Sequence, residues 1–397
     1  MTYEIRYIKN QASFCDMDLK DYVAGTSVEQ FEYRSFAPAP IRHAWVFSDP
    51  ALLTLLSEAD RAIGELNAFA QLVPDVDFFI RMHVAKEATQ SSRIEGTQTN
   101  IAEAFYEERD IGPEHRDDWQ EVQNYIFAIN EAIEQLKTLP LSNRLLRDTH
   151  RRLMQSVRGK DKMPGEFRLS QNWIGISLKN AVFVPPHHDD VPALMSDLEL
   201  FLHDEANHVP HLIKIAIAHY QFETIHPFLD GNGRLGRLMI ALYFASAGLL
   251  VKPALYLSDY FERNKTEYVD RLMAVRLGNH MDQWLVFFLH GVRETAQRSI
   301  GVFRSILLLK EQLEREVIPR FSTRKQPNAQ ALMRLLYQRP IVDVKQVFTA
   351  LELNANTASS LVADFIQHGI LREITGQRRN RLFAFDAYLG IFTADDG

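Results

Sequence analysis

The sequence is poor in cysteine and carries no excess of positive charge. Cys15 is the one cysteine among 397 residues, which excludes an intramolecular disulfide framework or a cysteine-based zinc cluster and suits a reducing compartment. Lys and Arg number 44 against 51 Asp and Glu, a net charge of −7, so the chain as a whole is not a bulk neutraliser of nucleic acid. No apolar run approaches the roughly 18 residues of a membrane helix, and the N-terminus lacks the pattern of a signal peptide. We therefore expect a cytoplasmic protein that does not engage a membrane.

Helical periodicity dominates the middle of the chain. The helical patterns cover 52–72, 78–96, 119–139, 141–157 and several segments between 191 and 316. Proline and glycine interrupt 158–190, where AVFVP (181–185) is typical of a short strand. Residues 1–50 show little sustained period and predict an irregular arm draped over the body. The pattern as a whole predicts a mainly α-helical protein with a small β-element.

The last seventy or so residues have a different character from the rest. A break at 319–328 predicts a linker, and three short helical patterns follow it. Residues 370–385 form two alternating runs around a turn rich in Gly and Arg, which predicts a hairpin. Ten Lys or Arg stand against five Asp or Glu between residues 320 and 390. Three helices followed by a hairpin predict a winged helix-turn-helix.

The most informative stretch is HPFLDGNGRLGR, residues 226–237, which joins two strongly helical segments. Gly231, Asn232 and Gly233 therefore lie at the start of a helix, where free N–H groups and the helix dipole attract anions. Arg234 and Arg237 are three residues apart and project from the same face of that helix. Their guanidinium groups match phosphate oxygens, so the stretch predicts a phosphate site.

Two further side chains of this stretch predict chemistry at the phosphate site. Asp230 beside phosphates is understandable if it holds Mg²⁺, which takes one or two carboxylates together with phosphate oxygens. His226 heads the loop and can accept a proton near neutral pH. Taken singly, a GNG turn and a histidine before a proline are more often structural. Together they indicate an anion site with a metal ligand and a base.

The same twelve residues resemble the signature of the Fic family, H-x-F-x-[D/E]-G-N-G-R-x-x-R. The matching positions are His226, Phe228, Asp230, Gly231, Asn232, Gly233, Arg234 and Arg237. PGEFR (164–168) resembles an upstream element of the family, and NAVFVPP (180–186) resembles its β-hairpin flap. LYLSDYFERNKTEYVDRL (255–272) resembles the segment that borders the nucleotide base. The resemblance covers roughly residues 80–290.

The resemblance implies a Fic-type helical core with a small β-hairpin flap. It implies an N-terminal arm and inhibitory-helix region (1–110), a catalytic core (111–318) and a C-terminal winged-helix domain (319–397), an arrangement similar to that of many bacterial Fic proteins.

The resemblance also implies protein adenylylation. A Ser, Thr or Tyr hydroxyl of a target protein, or of the enzyme itself, would attack the α-phosphorus of ATP. The implied cofactors are ATP and Mg²⁺, with Asp230 as the metal ligand and His226 as the base. The catalytic residues expected are His226, Asp230, Asn232, Arg234 and Arg237. The ATP-binding residues expected are Gly231, Asn232, Gly233, Arg234, Arg237, Asp259, Tyr260 and Asn264.

SSRIEG (91–96) matches the inhibitory pattern of the family, [S/T]-x-x-x-E-[G/N], through Ser91, Glu95 and Gly96. The resemblance implies that Glu95 forms a salt bridge with Arg237 and so denies it to the γ-phosphate. A carboxylate and a phosphate can compete for one guanidinium. The alternative is a solvated carboxylate at a helix end. A linked alternative is that Glu95 orients water to remove AMP from a target.

Other functions stay open at this point. The chain could be a DNA-binding regulator that acts through residues 320–390. The expected recognition stretch 356–367 contains no Lys or Arg, whereas the turn at 376–381 is basic, so protein docking is the other alternative. A third alternative is the transfer of UMP, phosphate or phosphocholine, although the complete GNGRxxR motif favours nucleotidyl transfer. A homodimer is expected by resemblance only.

Overall fold

The structure is a computed structural model that describes residues 16–73, 76–155 and 160–393, and Cys15 lies outside these ranges. In the described residues the helices are α1 (Pro50–Leu72), α2 (Val76–Ile94), α3 (Arg116–Gln135), α4 (Asn143–Leu153), α5 (Val191–His203), α6 (His211–Ile225), α7 (Asn232–Ser246), α8 (Ser258–Arg263), α9 (Lys265–Gly278), α10 (Met281–Gln312), α11 (Gln326–Gln338), α12 (Val344–Ala350), α13 (Ala355–Gln367) and α14 (Asp386–Thr393). The strands are β1 (Asp16–Asp18), β2 (Gly25–Glu29), β3 (Arg34–Pro38), β4 (Ala44–Val46), β5 (Ile174–Gly175), β6 (Ala181–Phe183), β7 (Ile341–Val342), β8 (Arg372–Glu373) and β9 (Phe383–Ala384).

Helix α6 is the centre of the helical body. Its sequence HLIKIAIAHYQFETI is apolar on nearly every face, and every residue from Leu212 to Ile225 is buried. Such a helix is stable only inside a layer of neighbours, and α1, α5, α7 and α10 all pack against it. The C-terminal end of α6 is therefore held rigidly where the motif loop begins.

The N-terminal arm differs from the irregular segment that the sequence predicted. Strand β1 pairs in parallel with β4, and β2 and β3 form an antiparallel hairpin. The pairing of β1 with β4 joins residues nearly thirty positions apart, which no local periodicity could indicate. Backbone bonds tie the arm to the body: the Ala24 N–H donates to Asn279 Oδ1 at 2.9 Å, and the Phe36 N–H donates to the carbonyl of Val184 at 2.9 Å.

The C-terminal unit, residues 326–393, has three helices, α11 to α13, ahead of the strands β8 and β9. Strand β9 lies between β7 and β8 in an antiparallel sheet. This unit packs directly on α2. The ring of Phe79 lies 5.6 Å from that of Tyr337, and Lys86 Nζ donates to the carbonyl of Phe392 at 3.1 Å. Helix α2 thus packs against both the helical body and the C-terminal unit.

No helix of the described part of the chain has both the length and the apolar character needed to cross a membrane.

Candidate active site

The loop between α6 and α7 adopts a backbone that only particular residues tolerate. Helix α6 ends at His226, which has φ 51° and ψ 60° in the left-handed region, and Gly231 precedes α7 with φ 74°. A non-glycine residue in this region is uncommon and is maintained only by its surroundings. The chain therefore turns sharply at both ends of a short loop, which brings His226 and the start of α7 to the same cavity.

Two asparagine side chains hold this loop from inside. Asn232 accepts a hydrogen bond from the Phe228 N–H and donates one to its carbonyl, both at 2.8 Å. Asn172 donates to the carbonyls of His226 at 3.1 Å and Phe228 at 2.9 Å. The amide of Asn232, expected to bind nucleotide, is engaged by the loop backbone here. In this structure Asn232 shapes the site instead of facing a ligand.

Two buried side chains hold the loop from outside. Arg168 donates through Nε to the His226 carbonyl at 3.0 Å and through Nη2 to the Pro186 carbonyl at 2.6 Å, so it links the loop to the flap formed by β5 and β6. His150 lies 3.8 Å from the Phe228 ring, in a stacked arrangement, and its Nε2 is 2.9 Å from the carbonyl oxygen of Asp230. Burial lowers the pKa of His150 to about 4, so it is neutral here.

The N-terminus of α7 forms an anion cradle that already contains a carboxylate. A Cβ placed on Gly233 would collide with Glu95 Oε1 and lie 3.0 Å from Arg237 Nη1. Glycine at 233 therefore permits a negatively charged oxygen to approach the free N–H groups of the helix. In this structure the Glu95 carboxylate stands where a phosphate oxygen would be expected to bind.

Arg237 is held by residues of α2 and the turn that follows it. Its Nη2 donates to Glu95 Oε1 at 2.7 Å and to the Ser91 carbonyl at 2.8 Å, and its Nε donates to Ser91 Oγ at 2.9 Å. The Arg237 side chain is 2% exposed, whereas that of Glu95 is 42% exposed. Although burial opposes it, the attraction of Arg237 lowers the pKa of Glu95, so the pair is ionised at neutral pH. Ser91 and Glu95, both predicted from sequence, thus meet the second arginine of the motif.

Arg234 pairs with a different carboxylate, which lies inside the protein. Its Nη1 donates to Glu121 Oε2 of α3 at 3.0 Å, and the two side chains are 7% and 11% exposed. Both arginines of the motif line the cavity with His226, as expected, but each has a carboxylate partner.

Asp230 is suitably placed for a metal ion at the mouth of the cradle. It is exposed, and its Oδ1 accepts from the Gly231 N–H at 2.6 Å, which fixes the carboxylate beside the start of α7. An exposed carboxylate next to a phosphate site is the donor that Mg²⁺ prefers. The residues present therefore fit the expected metal and nucleotide phosphates.

His226 is arranged to be a neutral base. Its side chain is half-buried, and its Nδ1 lies 3.4 Å from the carbonyl oxygen of Glu223. Burial, and next the positive charge of Arg276, lower the pKa of His226 to about 4. The imidazole is consequently unprotonated at neutral pH and can accept a proton.

The predicted base-binding residues lie outside this cavity. Asp259 pairs with Lys86 at 3.1 Å, Tyr260 packs on Phe287, and Asn264 donates to the Tyr260 carbonyl. The reason is that α8 faces α2 and α10, and the chain bends at Asn264 before α9 begins. Helix α9 and the flap supply the wall instead, through Lys265, Tyr268, Val269, Leu272, Trp173 and Val182.

Several positioning residues escaped the sequence reading. Only the resemblance of PGEFR to a family element pointed to Arg168. Glu121, His150 and Asn172 come from separate segments and form no pattern in the sequence. Glu121 follows RDDWQ and His150 lies within RDTHRRL, so each is one polar residue among several and no signal in the sequence marks it.

The comparisons with known proteins agree on one family. Residues 53–134 match the sequence model described as Fic/DOC family N-terminal, and residues 140–244 match the one described as Fic/DOC family. Protein adenylyltransferase Fic of Drosophila grimshawi is 34% identical over 137 residues, which are 34% of this chain and 26% of that protein. Its namesake in Aedes aegypti is 38% identical over 103 residues, 25% of this chain and 19% of that protein. The matches thus span about a quarter or less of these relatives.

Two solved structures share the fold. A Fic family protein from Desulfovibrio desulfuricans G20 superposes with a TM-score of 0.55 at 22% identity, over 86% of this chain and 97% of that one. Fic-1 from C. elegans, residues 134–508, superposes with a TM-score of 0.50 at 21% identity, over 66% of this chain and 75% of that one. At such identities the likeness concerns the fold alone, a mainly helical one with small sheets.

Proposed function

This chain belongs to the Fic/DOC family, and we propose on that premise that it is a protein adenylyltransferase. It would move AMP from ATP to a Ser, Thr or Tyr hydroxyl of a target protein and of itself. The main support is the geometry at the junction of α6 and α7, where a neutral His226, an exposed Asp230 and the anion cradle line one cavity. The Fic/DOC family model covers this junction, and relatives named as protein adenylyltransferases are 34% and 38% identical to parts of the chain, which supports the proposal.

Each residue has a physical role in this reaction. Nε2 of His226 accepts the proton of the attacking hydroxyl as its oxygen bonds to the α-phosphorus. The bond from the α-phosphorus to the bridging oxygen breaks, and pyrophosphate carries away the electron pair. The N–H groups of α7 and the guanidinium groups of Arg234 and Arg237 offset the phosphate charge. Asp230 would hold Mg²⁺, which supplies further charge neutralisation when bound.

We also propose that the resting enzyme is inhibited by Glu95. The Glu95 carboxylate pairs with the Arg237 guanidinium and fills the space above Gly233. The terminal phosphates of ATP would need both this guanidinium and this space. ATP would then bind with its α-phosphorus out of line with the attacking hydroxyl. Withdrawal of Glu95 would free the guanidinium for the γ-phosphate.

The decisive experiment uses two labels and three proteins. Wild type, Glu95→Gly and His226→Ala are incubated with Mg²⁺ and either α-³²P-ATP or γ-³²P-ATP. We expect protein label from the α-phosphate only, stronger in Glu95→Gly and absent in His226→Ala. Label from the γ-phosphate only would indicate phosphotransfer, and the absence of label in folded, ATP-binding Glu95→Gly would contradict nucleotidyl transfer from ATP. Parallel α-³²P-UTP tests the donor.

A second function, DNA binding, is proposed for the C-terminal unit. We infer a winged helix from the order of α11 to α13 and the β7–β9–β8 sheet, and Arg378, Arg379 and Arg381 are exposed between β8 and β9. Helix α13, by contrast, contains no Lys or Arg. Retention of full-length protein on duplex DNA, lost when the three arginines are changed to Ala, would support this function. Equal retention of both proteins, or none of either, would leave protein docking as the function of the unit.

A further inference from the structure

Arg276 of α9 reaches the last turn of α6 from below the flap. It is 7% exposed; its Nη2 donates to the Glu223 carbonyl at 2.9 Å and its Nε donates to Thr224 Oγ1 at 3.1 Å. Its guanidinium carbon lies 3.9 Å from the centre of the Phe183 ring, in β6. The Arg276 side chain therefore contacts the flap and also Glu223 and Thr224, which lie just before His226 in the sequence.

This buried guanidinium differs from the two arginines of the motif. Arg234 and Arg237 each pair with a carboxylate, whereas Arg276 forms no ion pair with any carboxylate of residues 16–73, 76–155 or 160–393. A buried charge without a counter-ion is costly, and burial lowers the pKa of Arg276. The hydrogen bonds of Arg276 indicate what this buried charge does.

Arg276 and His226 share an acceptor. The Glu223 carbonyl accepts from Arg276 Nη2 at 2.9 Å and lies 3.4 Å from His226 Nδ1. A histidine acts as a base through one ring nitrogen when the other carries the proton and donates it to a fixed acceptor. For His226 to accept a proton at Nε2, its Nδ1–H must be directed at this carbonyl.

We propose that Arg276 is a positioning residue for the base: it fixes the Glu223 carbonyl and the Thr224 hydroxyl so that Nδ1–H of His226 is held and Nε2 is free. The purpose of this arrangement rests on the proposed adenylyl transfer, but the arrangement itself does not. The contact with Phe183 also connects this positioning residue to the flap.

The charges around His226 affect its pKa in both directions. Arg276 and Arg168 lower its pKa, whereas the Glu95 carboxylate raises it. Burial raises the pKa of the nearby Glu223 carboxyl to about 7, so that group offsets the arginines only in part. Loss of the Arg276 charge should therefore move the His226 pKa upward from about 4.

The test reads the imidazole directly. Full-length protein with ¹⁵N-labelled histidine is studied by long-range ¹⁵N–¹H NMR across pH, with His226→Ala assigning the resonance. The variants are Arg276→Gln and Arg276→Lys. Arg271→Gln is the matched control, because Arg271 is a half-buried arginine of the same helix that pairs with Glu267. Labelling from α-³²P-ATP is measured on the same substitutions in the Glu95→Gly background.

We expect wild type and Arg271→Gln to show the Nδ1–H tautomer. Arg276→Gln should show mixed tautomers, a His226 pKa moved toward its ordinary value of about 6.5, and labelling reduced about 10- to 100-fold. Arg276→Lys should keep the low pKa, because the charge remains, while losing part of the tautomer preference. An unchanged His226 tautomer and an unchanged His226 pKa in folded Arg276→Gln would overturn the proposal. A tautomer change in a protein that never labels would retain the positioning role and refute adenylyl transfer instead.

Discussion

The two arginines of the motif lie one turn apart on α7, yet their carboxylate partners differ in kind. Arg234 pairs with Glu121, and both side chains are nearly buried within the helical body. Arg237 pairs with Glu95, whose side chain is 42% exposed and follows the end of α2. The first carboxylate is almost fully enclosed by protein, whereas the second already borders solvent. From this difference we infer that the Arg234 pair builds the site, whereas the Arg237 pair is the one that the proposed inhibition uses.

The largest expected effect is on stability, at the buried pair. Glu121→Gln should lower the free energy of unfolding by about 3–5 kcal/mol, because it leaves the buried guanidinium of Arg234 without its counter-charge. Glu95→Gln should lower it by about 1 kcal/mol or less, since an exposed partner is screened by water. Urea unfolding followed by tryptophan fluorescence measures both. Equal losses in the two variants would remove the distinction between the pairs.

The next effect is on activity, at the exposed pair. Glu95→Gly should raise labelling from α-³²P-ATP about 10- to 100-fold, corresponding to loss of a charge-assisted hydrogen bond that competes with phosphate. Glu95→Asp keeps the charge on a shorter side chain and should fall between wild type and Glu95→Gly. A Glu95→Asp protein as active as Glu95→Gly would show that carboxylate geometry, and not its charge alone, sets the inhibition; unchanged labelling in both would refute it.

Ser91 should have a smaller effect in the same direction. Ser91→Ala removes the hydroxyl that accepts from Arg237 Nε, while the Ser91 carbonyl keeps its bond to Nη2. One such bond is worth about 0.5–1.5 kcal/mol, so labelling should rise about two- to tenfold. Ser92→Ala, on the same turn of α2, is the control and should leave labelling unchanged.

The smallest effect is that of pH. His226 has a pKa of about 4, so its neutral form prevails from pH 6 to 8 and is lost only as the pH falls toward 4. The lowered pKa of Glu95 keeps its pair with Arg237 ionised over the same range, and that pair is lost only when the pH drops through this lowered value. The ratio of Glu95→Gly to wild-type labelling should therefore be constant between pH 6 and 8. A ratio that falls toward 1 as the pH is lowered from 8 to 6 would mean that the pair weakens earlier and that wild type loses its inhibition.

The sequence was informative where the site is contiguous. Residues 226–237 form one loop and one helix start, so their relative positions follow from helix geometry alone. Glu95 was found through a short family pattern, and its pairing with Arg237 across more than 140 positions was implied only by resemblance. Glu121 has no such pattern, because its role depends on how α3 crosses α7. Asp259 and Tyr260 were expected to line the nucleotide cavity, but they lie outside it. The chain bends at Asn264, which turns α8 away from the cavity and brings Lys265 and Tyr268 of α9 toward it.

The space above Gly233 also limits how the enzyme can be switched on. A single added carbon there would collide with the Glu95 carboxylate, and it would occupy the volume that a phosphate needs. On the proposed function, the Glu95 carboxylate and a phosphate of ATP would compete for this one space. An activator that displaced Glu95 by binding in the same space would then block the nucleotide too. On the proposed inhibition, activation would have to draw the end of α2 away from Arg237; the C-terminal unit contacts the same helix nearer its start, at Phe79 and Lys86.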